Sequence, residues 1–185
     1  MVFALLAMAG NLVMQADPVR PMFDFTQPKA PSLWQAVNDG VMGGVSRGVF
    51  GITPAGILEF TGTLSLENNG GFASVRSRPA NLGLKPDDSL IIKLKGDGRD
   101  YSLNLYTNRP LMAFSYRANF STKKGEWLEI RAPLANFVAT SFGREVTSAG
   151  PVNPGEVVGI GFMLADKKAG PFKLEIESIS AQVKK

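Results

Sequence analysis

From Phe23 to Val183 the apolar residues recur at every second position, in short runs separated by glycine, proline, asparagine and aspartate. Leu58, Phe60, Leu64 and Leu66 fall on one face of such a run, with Glu59, Thr61, Thr63 and Ser65 on the other. Leu90 to Lys95 continues the pattern, and Leu103 and Leu105 share a side. Met112, Phe114, Tyr116, Ala118 and Phe120 alternate against Ala113, Ser115, Arg117 and Asn119. Leu128 and Ile130 oppose Trp127, Glu129 and Arg131. Val158, Ile160, Phe162 and Leu164 oppose Val157, Gly159, Gly161 and Met163. Phe172, Leu174 and Ile176 oppose Lys173, Glu175 and Glu177. A strand turns successive side chains to opposite faces, so this period of two predicts half-buried strands, not helices. The runs are closed by Asn69-Gly70-Gly71, Lys85-Pro86-Asp87-Asp88, Gly96-Asp97-Gly98 and Pro151 to Gly155, all of which carry turn-forming chemistry. With 20 glycines and 12 prolines and no strand–helix–strand rhythm, the chain reads as an all-β antiparallel sandwich or barrel. Phe60, Leu64, Leu94, Leu105, Phe114, Ile130, Ile160, Phe162, Leu174 and Ile176 form the expected core, and Pro133 to Phe137 a short helical turn.

What the chain lacks limits its chemistry. Among 185 residues there is no cysteine, which removes disulfides, thiolate metal sites and a thiol nucleophile. There is no histidine, which removes the Ser-His-Asp triad, imidazole ligands and the commonest general base. Paired carboxylates, Ser-Lys arrangements and oxygen-ligated cations stay open. Lysine and arginine exceed aspartate and glutamate by 20 − 16 = 4. These cations are scattered and not gathered in a stripe, so no nucleic-acid partner is expected. Asp97, Asp100, Glu126, Glu129 and Glu175 are the carboxylates a glycoside hydrolase would use, but nothing in their spacing makes two of them converge. No acidic loop has EF-hand spacing. A structural calcium is left open, while no metal site and no cofactor are expected.

Residues 1–22 read as an apolar leader or atypical signal-like segment, ahead of a single sandwich domain over residues 23–185. Val2 to Val13 is mostly apolar yet too short to span a bilayer, and no lysine or arginine precedes Arg20. An exported or membrane-peripheral location is favoured over a cytoplasmic one.

Three glycine-rich clusters stand out from the strand pattern. The first runs from Trp34 through Asn38-Asp39-Gly40 and Gly43-Gly44 to Ser46. The second is Glu67 to Arg76, and the third Gly96 to Tyr101. Together with Tyr116 to Phe120, Trp127 ahead of Pro133-Leu134, Ile160 to Leu164 and Phe172 to Ile176, their order resembles the family of complex I intermediate-associated proteins. The resemblance covers roughly Phe23 to Val183. It implies a jelly roll of the galactose-binding type and a role in binding or assembling other proteins, with no catalytic residues to carry over.

From the residues themselves, Asp39 between Asn38 and Gly40 is expected to organise its loop by bonding backbone N–H groups. Asn68 to Gly71 is expected to be a hairpin connection. Arg76, with Arg78 and Ser74, faces either solvent or the hollow of the sandwich, and Arg99 forms either a local ion pair or an anion contact. Candidate partner-binding residues are Asn38, Asp39, Met42, Ser46, Arg47, Asn68, Asn69, Arg76 and Arg99, with Met42 and Arg47 as anchors. The expected partners are protein subunits of an assembling membrane-linked redox complex, respiratory or photosynthetic. The alternative is a carbohydrate-binding module with Trp127 as its stacking platform. Peripheral membrane contact is left open. The three clusters are expected to converge on one polar, partly basic surface.

Overall fold

The computed structural model describes residues 18–109 and 114–183. Its strands, in chain order, are β1 (Val19–Pro21), β2 (Trp34–Asn38), β3 (Arg47–Ile52), β4 (Leu58–Leu64), β5 (Ala73–Ser77), β6 (Ser89–Lys95) and β7 (Asp100–Thr107). They continue with β8 (Ser115–Ser121), β9 (Trp127–Pro133), β10 (Val138–Ser141), β11 (Arg144–Glu145), β12 (Val157–Leu164) and β13 (Gly170–Gln182). One sheet runs β3-β4-β13-β6-β9, with β1 beside β13. The other runs β11-β10-β8-β7-β12-β5-β2. Every paired strand is antiparallel, and the helical content of the described residues is short 3-10 turns, one of them at Leu134–Asn136 as expected. The chain is therefore an all-β antiparallel sandwich. The leader assigned to residues 1–22 lies outside the described residues up to Asp17, and β1 is paired with Ser180 to Gln182.

The core lies where the alternation predicts. Leu58, Phe60, Leu90, Ile92, Leu94, Leu174 and Ile176 from the six-stranded sheet meet Val75, Leu103, Leu105, Tyr116, Ile160 and Phe162 from the other, all without solvent exposure. Face-to-face packing of two such surfaces supplies most of the hydrophobic stabilisation. Phe114 and Ile130 are only partly buried and pack at the margin of this core. Trp34 is enclosed by Phe23 and Phe25, with ring centroids 5.0 and 5.8 Å away.

Three further expectations need correction, each where regular pleating stops. Leu66 is 46% exposed, because β4 ends at Leu64 and the chain turns away. Val157 is buried and Val158 only partly so, because the register shifts between Val157 and Gly159 and inverts the faces. The segment from Asn68 to Gly71 is not a hairpin: β4 belongs to one sheet and β5 to the other, so this segment crosses between layers. Asn68 and Asn69 make the crossing with left-handed φ values of 54° and 58°. A second register shift, between Ile176 and Ser178, rephases β13 so that Ile179 and Ala181 face the core after Phe172, Leu174 and Ile176.

Candidate functional site

The strand register brings the three glycine-rich clusters to one end of the sandwich. In the seven-stranded sheet Asn38 faces Ala73, Ala73 faces Leu164, Leu164 faces Tyr101 and Tyr101 faces Phe120. In the six-stranded sheet Arg47 faces Thr63, Leu64 faces Gly170 and Lys95 faces Trp127. The segments 39–46, 65–72 and 96–99 all leave from these ends.

Asp39 joins the first two segments. Fully buried, its Oδ1 accepts the Ser46 N–H at 2.9 Å. Its Oδ2 accepts the Ser46 hydroxyl at 2.6 Å, the Gly71 N–H at 2.7 Å and the Phe72 N–H at 3.2 Å. The Ser46 oxygen in turn accepts the Ser65 N–H at 3.0 Å. Burial alone would raise the carboxyl pKa. The bonds from Ser46, Gly71 and Phe72 more than offset this and hold it below its ordinary value, so the group is a carboxylate. Two glycines are needed for this approach: a Cβ on Gly44 would lie 2.4 Å from the Asp39 Cγ, and one on Gly70 would lie 2.6 Å from Oδ2.

These fastened loops display apolar side chains. Val41 is 73% exposed, Met42 52% and Val45 45%, and Leu66 stands on the neighbouring loop. Arg47, Asn68 and Asn69 are exposed beside them. Asn38 instead works inward, its Nδ2 donating to the Gly48 carbonyl at 2.9 Å. Asp39 and Ser46 offer their side chains to the loop and not to solvent.

Arg99 secures the third segment. Its Nε and Nη2 donate to the two oxygens of Asp166 at 3.0 and 2.6 Å. Nη1 donates to the carbonyls of Gly170 and Pro171 at 3.2 and 3.1 Å, and Nη2 also to that of Lys168. All five N–H groups of the guanidinium are thus used within the protein. The ion pair is not local: Asp166 lies on the β12–β13 turn, and burial, which would raise its pKa, is outweighed by the Arg99 contact. Asp97, beside Arg99, accepts the Tyr101 hydroxyl at 3.1 Å and the Lys173 N–H at 2.8 Å.

The remaining candidates lie elsewhere. Arg76 is on the outward face of the seven-stranded sheet, away from the loop end, its guanidinium 4.8 Å from the Tyr106 ring centroid. Trp127 is 41% exposed on the outward face of the other sheet. The ammonium groups of Lys95 and Lys93 lie 5.0 and 5.9 Å from its ring centroid. Asp100, Glu126 and Glu175 each sit in a separate contact, with Ser121, Lys123 and Lys95. Among the described residues no cluster of acidic side chains could hold a metal ion. Sequence reasoning passed over Val41, Val45, Asp166 and Arg117. Valines inside a run of turn formers were a usable signal for the first two, whereas the partner of Arg99 had none.

Residues 23–176 match the family described as Complex I intermediate-associated protein 30 (CIA30). The chain belongs to this family. It is 28% identical over 198 residues to the mitochondrial Complex I intermediate-associated protein 30 of Drosophila melanogaster, covering 91% of this chain and 67% of that protein. To the Neurospora crassa protein of the same name it is 30% identical over 146 residues, 69% of this chain and 52% of that protein. The mouse protein matches at 32% over 97 residues, half of this chain and 29% of its own length. The chain thus spans two thirds of one curated relative and about half or less of the others. Among solved structures, a family 11 carbohydrate-binding module of Clostridium thermocellum, in complex with a β-1,3-1,4-mixed-linked tetrasaccharide, superposes with a TM-score of 0.67 at 14% identity, covering 91% of this chain and 97% of that one. An agarase structure does so at 0.64 and 11% identity, over 92% of this chain and 25% of that one. At these identities the likeness is one of fold, and it agrees with the jelly roll that the family resemblance implies. Among the described residues no helix is long and apolar enough to cross a membrane.

Proposed function

We propose that the chain is a non-enzymatic protein-binding module that assists assembly of a membrane-linked redox complex, respiratory complex I-like or photosynthetic. Membership of the family supports the general role, and one structural observation supports the mode of action. Loops fastened by a buried carboxylate hold Val41, Met42, Val45 and Leu66 in water, a cost that a partner surface would relieve. On this reading Met42, Arg47, Asn68 and Asn69 touch the client, while Asn38, Asp39, Ser46 and Arg99 hold the loops in place. A rigid display loses little entropy on docking. It would favour an incomplete intermediate over the finished complex, because later subunits bury the surface it uses. The module would then work beside an energy-transducing membrane, in keeping with the mitochondrial relatives.

The test is affinity capture from detergent-solubilised native membranes, with the wild-type chain and a Met42→Asp/Arg47→Glu variant. Wild type should retain subunits of one redox complex, and the variant should lose them while melting at the same temperature. Equal capture by both proteins would reject the loop surface, and capture of no such subunit would reject the assembly role. Carbohydrate binding is the second reading, favoured by the exposure of Trp127 and opposed by the two lysines over its ring. Retention on a glycan array that Trp127→Ala abolishes would put it first.

A further inference from the structure

The outward face of the seven-stranded sheet holds an unusual row of residues. Across four strands, Arg76 of β5 faces Gly161 of β12, Gly161 faces Asn104 of β7, and Asn104 faces Arg117 of β8. Gly159 lies on the same face of β12 and faces Tyr106. Neither glycine is bare: both are buried. The Arg76 Cγ lies 3.2 Å from where a Gly161 Cβ would stand, and the Tyr106 Cβ 3.6 Å from a Gly159 Cβ, so these large side chains lean into the shallow trough that the two glycines make. The side chains around this trough are donors. Arg76 Nε donates to the Ser74 hydroxyl at 3.0 Å, and Arg117 Nε donates to the Asn104 Oδ1 at 3.2 Å. Arg117 Nη2 has, among the described residues, only the Met163 sulfur, a weak acceptor, at 3.5 Å. Among the described residues neither guanidinium is in an ion pair.

Among the described residues the Nδ2 of fully buried Asn104 has no hydrogen-bond partner, and the buried Tyr106 hydroxyl interacts with Arg76 and Asn104 without a hydrogen bond of normal length. Burial raises the Tyr106 pKa, and the charges of both Arg76 and Arg117 act against that rise, so the two cations lie close to one phenol. Desolvation also lowers the pKa of Arg117. Like charges brought together, partly desolvated and left beside unsatisfied donors are costly unless an anion joins them. Two depressions border Arg117 and share Asn119. One, of about 570 Å³, reaches Ser102, Ala165 and, at its far side, Asp100, whose carboxylate accepts the Ser121 hydroxyl; the other, of about 340 Å³, reaches Val138 and Glu145.

We propose that this trough binds a carboxylate carried on an extended acidic protein segment, with Arg76 and Arg117 as its guanidinium clamps and Tyr106 and Asn104 as neutral donors. The planar fork of arginine suits a carboxylate. The Tyr106 ring already lies under Arg76, which leaves no open aromatic face there for a neutral sugar. The grooves on both sides of Arg117 give room for a chain and not only for an isolated ion. The choice of a protein as the carrier rests on the assembly reading above.

Fluorescence anisotropy with the full chain and labelled hexaglutamate tests the site, with hexaglutamine, inorganic phosphate and polygalacturonate as competitors. Hexaglutamate should bind and hexaglutamine should not. Arg76→Gln and Arg117→Gln should each weaken binding at least about tenfold. Asn104→Asp, which builds a carboxylate into the trough, should abolish peptide binding and raise the melting temperature. Binding indifferent to all three variants would expose general attraction to a basic chain and overturn the proposal. So would a lowered melting temperature for Asn104→Asp, or stronger competition by phosphate or polygalacturonate than by unlabelled hexaglutamate. Capture through Met42 and Arg47 is measured separately from membranes, so loss of the trough leaves the loop result standing, and the reverse.

Discussion

The loop end and the outward trough are both polar and both partly buried, yet their hydrogen bonding differs. At the loop end every oxygen of Asp39 is matched by a donor and every N–H of Arg99 by an acceptor, while the buried Oδ1 of Asn38 is left without one among the described residues. In the trough, the Asn104 Nδ2 has no hydrogen-bond partner, the Tyr106 hydroxyl has none at normal length, and two arginines lack a carboxylate among the described residues. Satisfied polar networks hold a fold in one shape, whereas unsatisfied ones remain ready for a ligand. Removing a side chain should therefore be expensive in the first region and cheap in the second.

The largest effect is expected at Asp39. Its replacement by alanine leaves the buried Ser46 N–H and the partly buried Gly71 and Phe72 N–H groups without their acceptor, and should destabilise the chain by about 3–4 kcal/mol in chemical denaturation. A loss below about 1 kcal/mol would show that the two loops are held by something else. Arg99→Ala should follow, at about 3 kcal/mol, because it leaves the enclosed Asp166 carboxylate without its cation.

Acid should reproduce part of the Asp39 effect. The folded-state pKa values of Asp39 and Asp166 are depressed, so their stabilisation is complete above the unfolded carboxylate value, near about 3.9. It is lost as pH falls through the folded values. The melting temperature should drop in the window below about pH 4, and Asp39→Asn should flatten that drop. With no histidine in the chain, no imidazole step should appear between about pH 5 and 8. Smallest of all, Arg76→Gln should change stability by no more than about 1 kcal/mol, the size of a partly exposed cation–π contact. A loss comparable with that of Arg99→Ala would erase the distinction between the two regions.

Much of the site was legible as chemistry but not as partnership. Asp39 between Asn38 and Gly40 signalled a loop-organising carboxylate, and the glycines around it signalled crowding. That Gly70 and Gly71 belong to the same network could not be read, because an Asn-Asn-Gly-Gly run has the local chemistry of a hairpin whether it joins paired strands or crosses between sheets. The alternation that put Trp127 outward was followed by the fold, but it misplaced Leu66 and inverted Val157 and Val158, where a strand ends or bulges. Arg117 was visible as the outward neighbour of Tyr116. Its place opposite Asn104, in line with Arg76, depends on how four strands are registered.

The sequence by itself determined the layer architecture and most of its core, because side-chain alternation and turn chemistry are properties of neighbouring residues. Tertiary structure alone decided which polar groups meet. Asp39 finds Gly71 across 32 residues, and Arg99 finds Asp166 across 67. Such pairings follow from sheet order and register, which are set by the packing of all strands at once and leave no local periodicity to read.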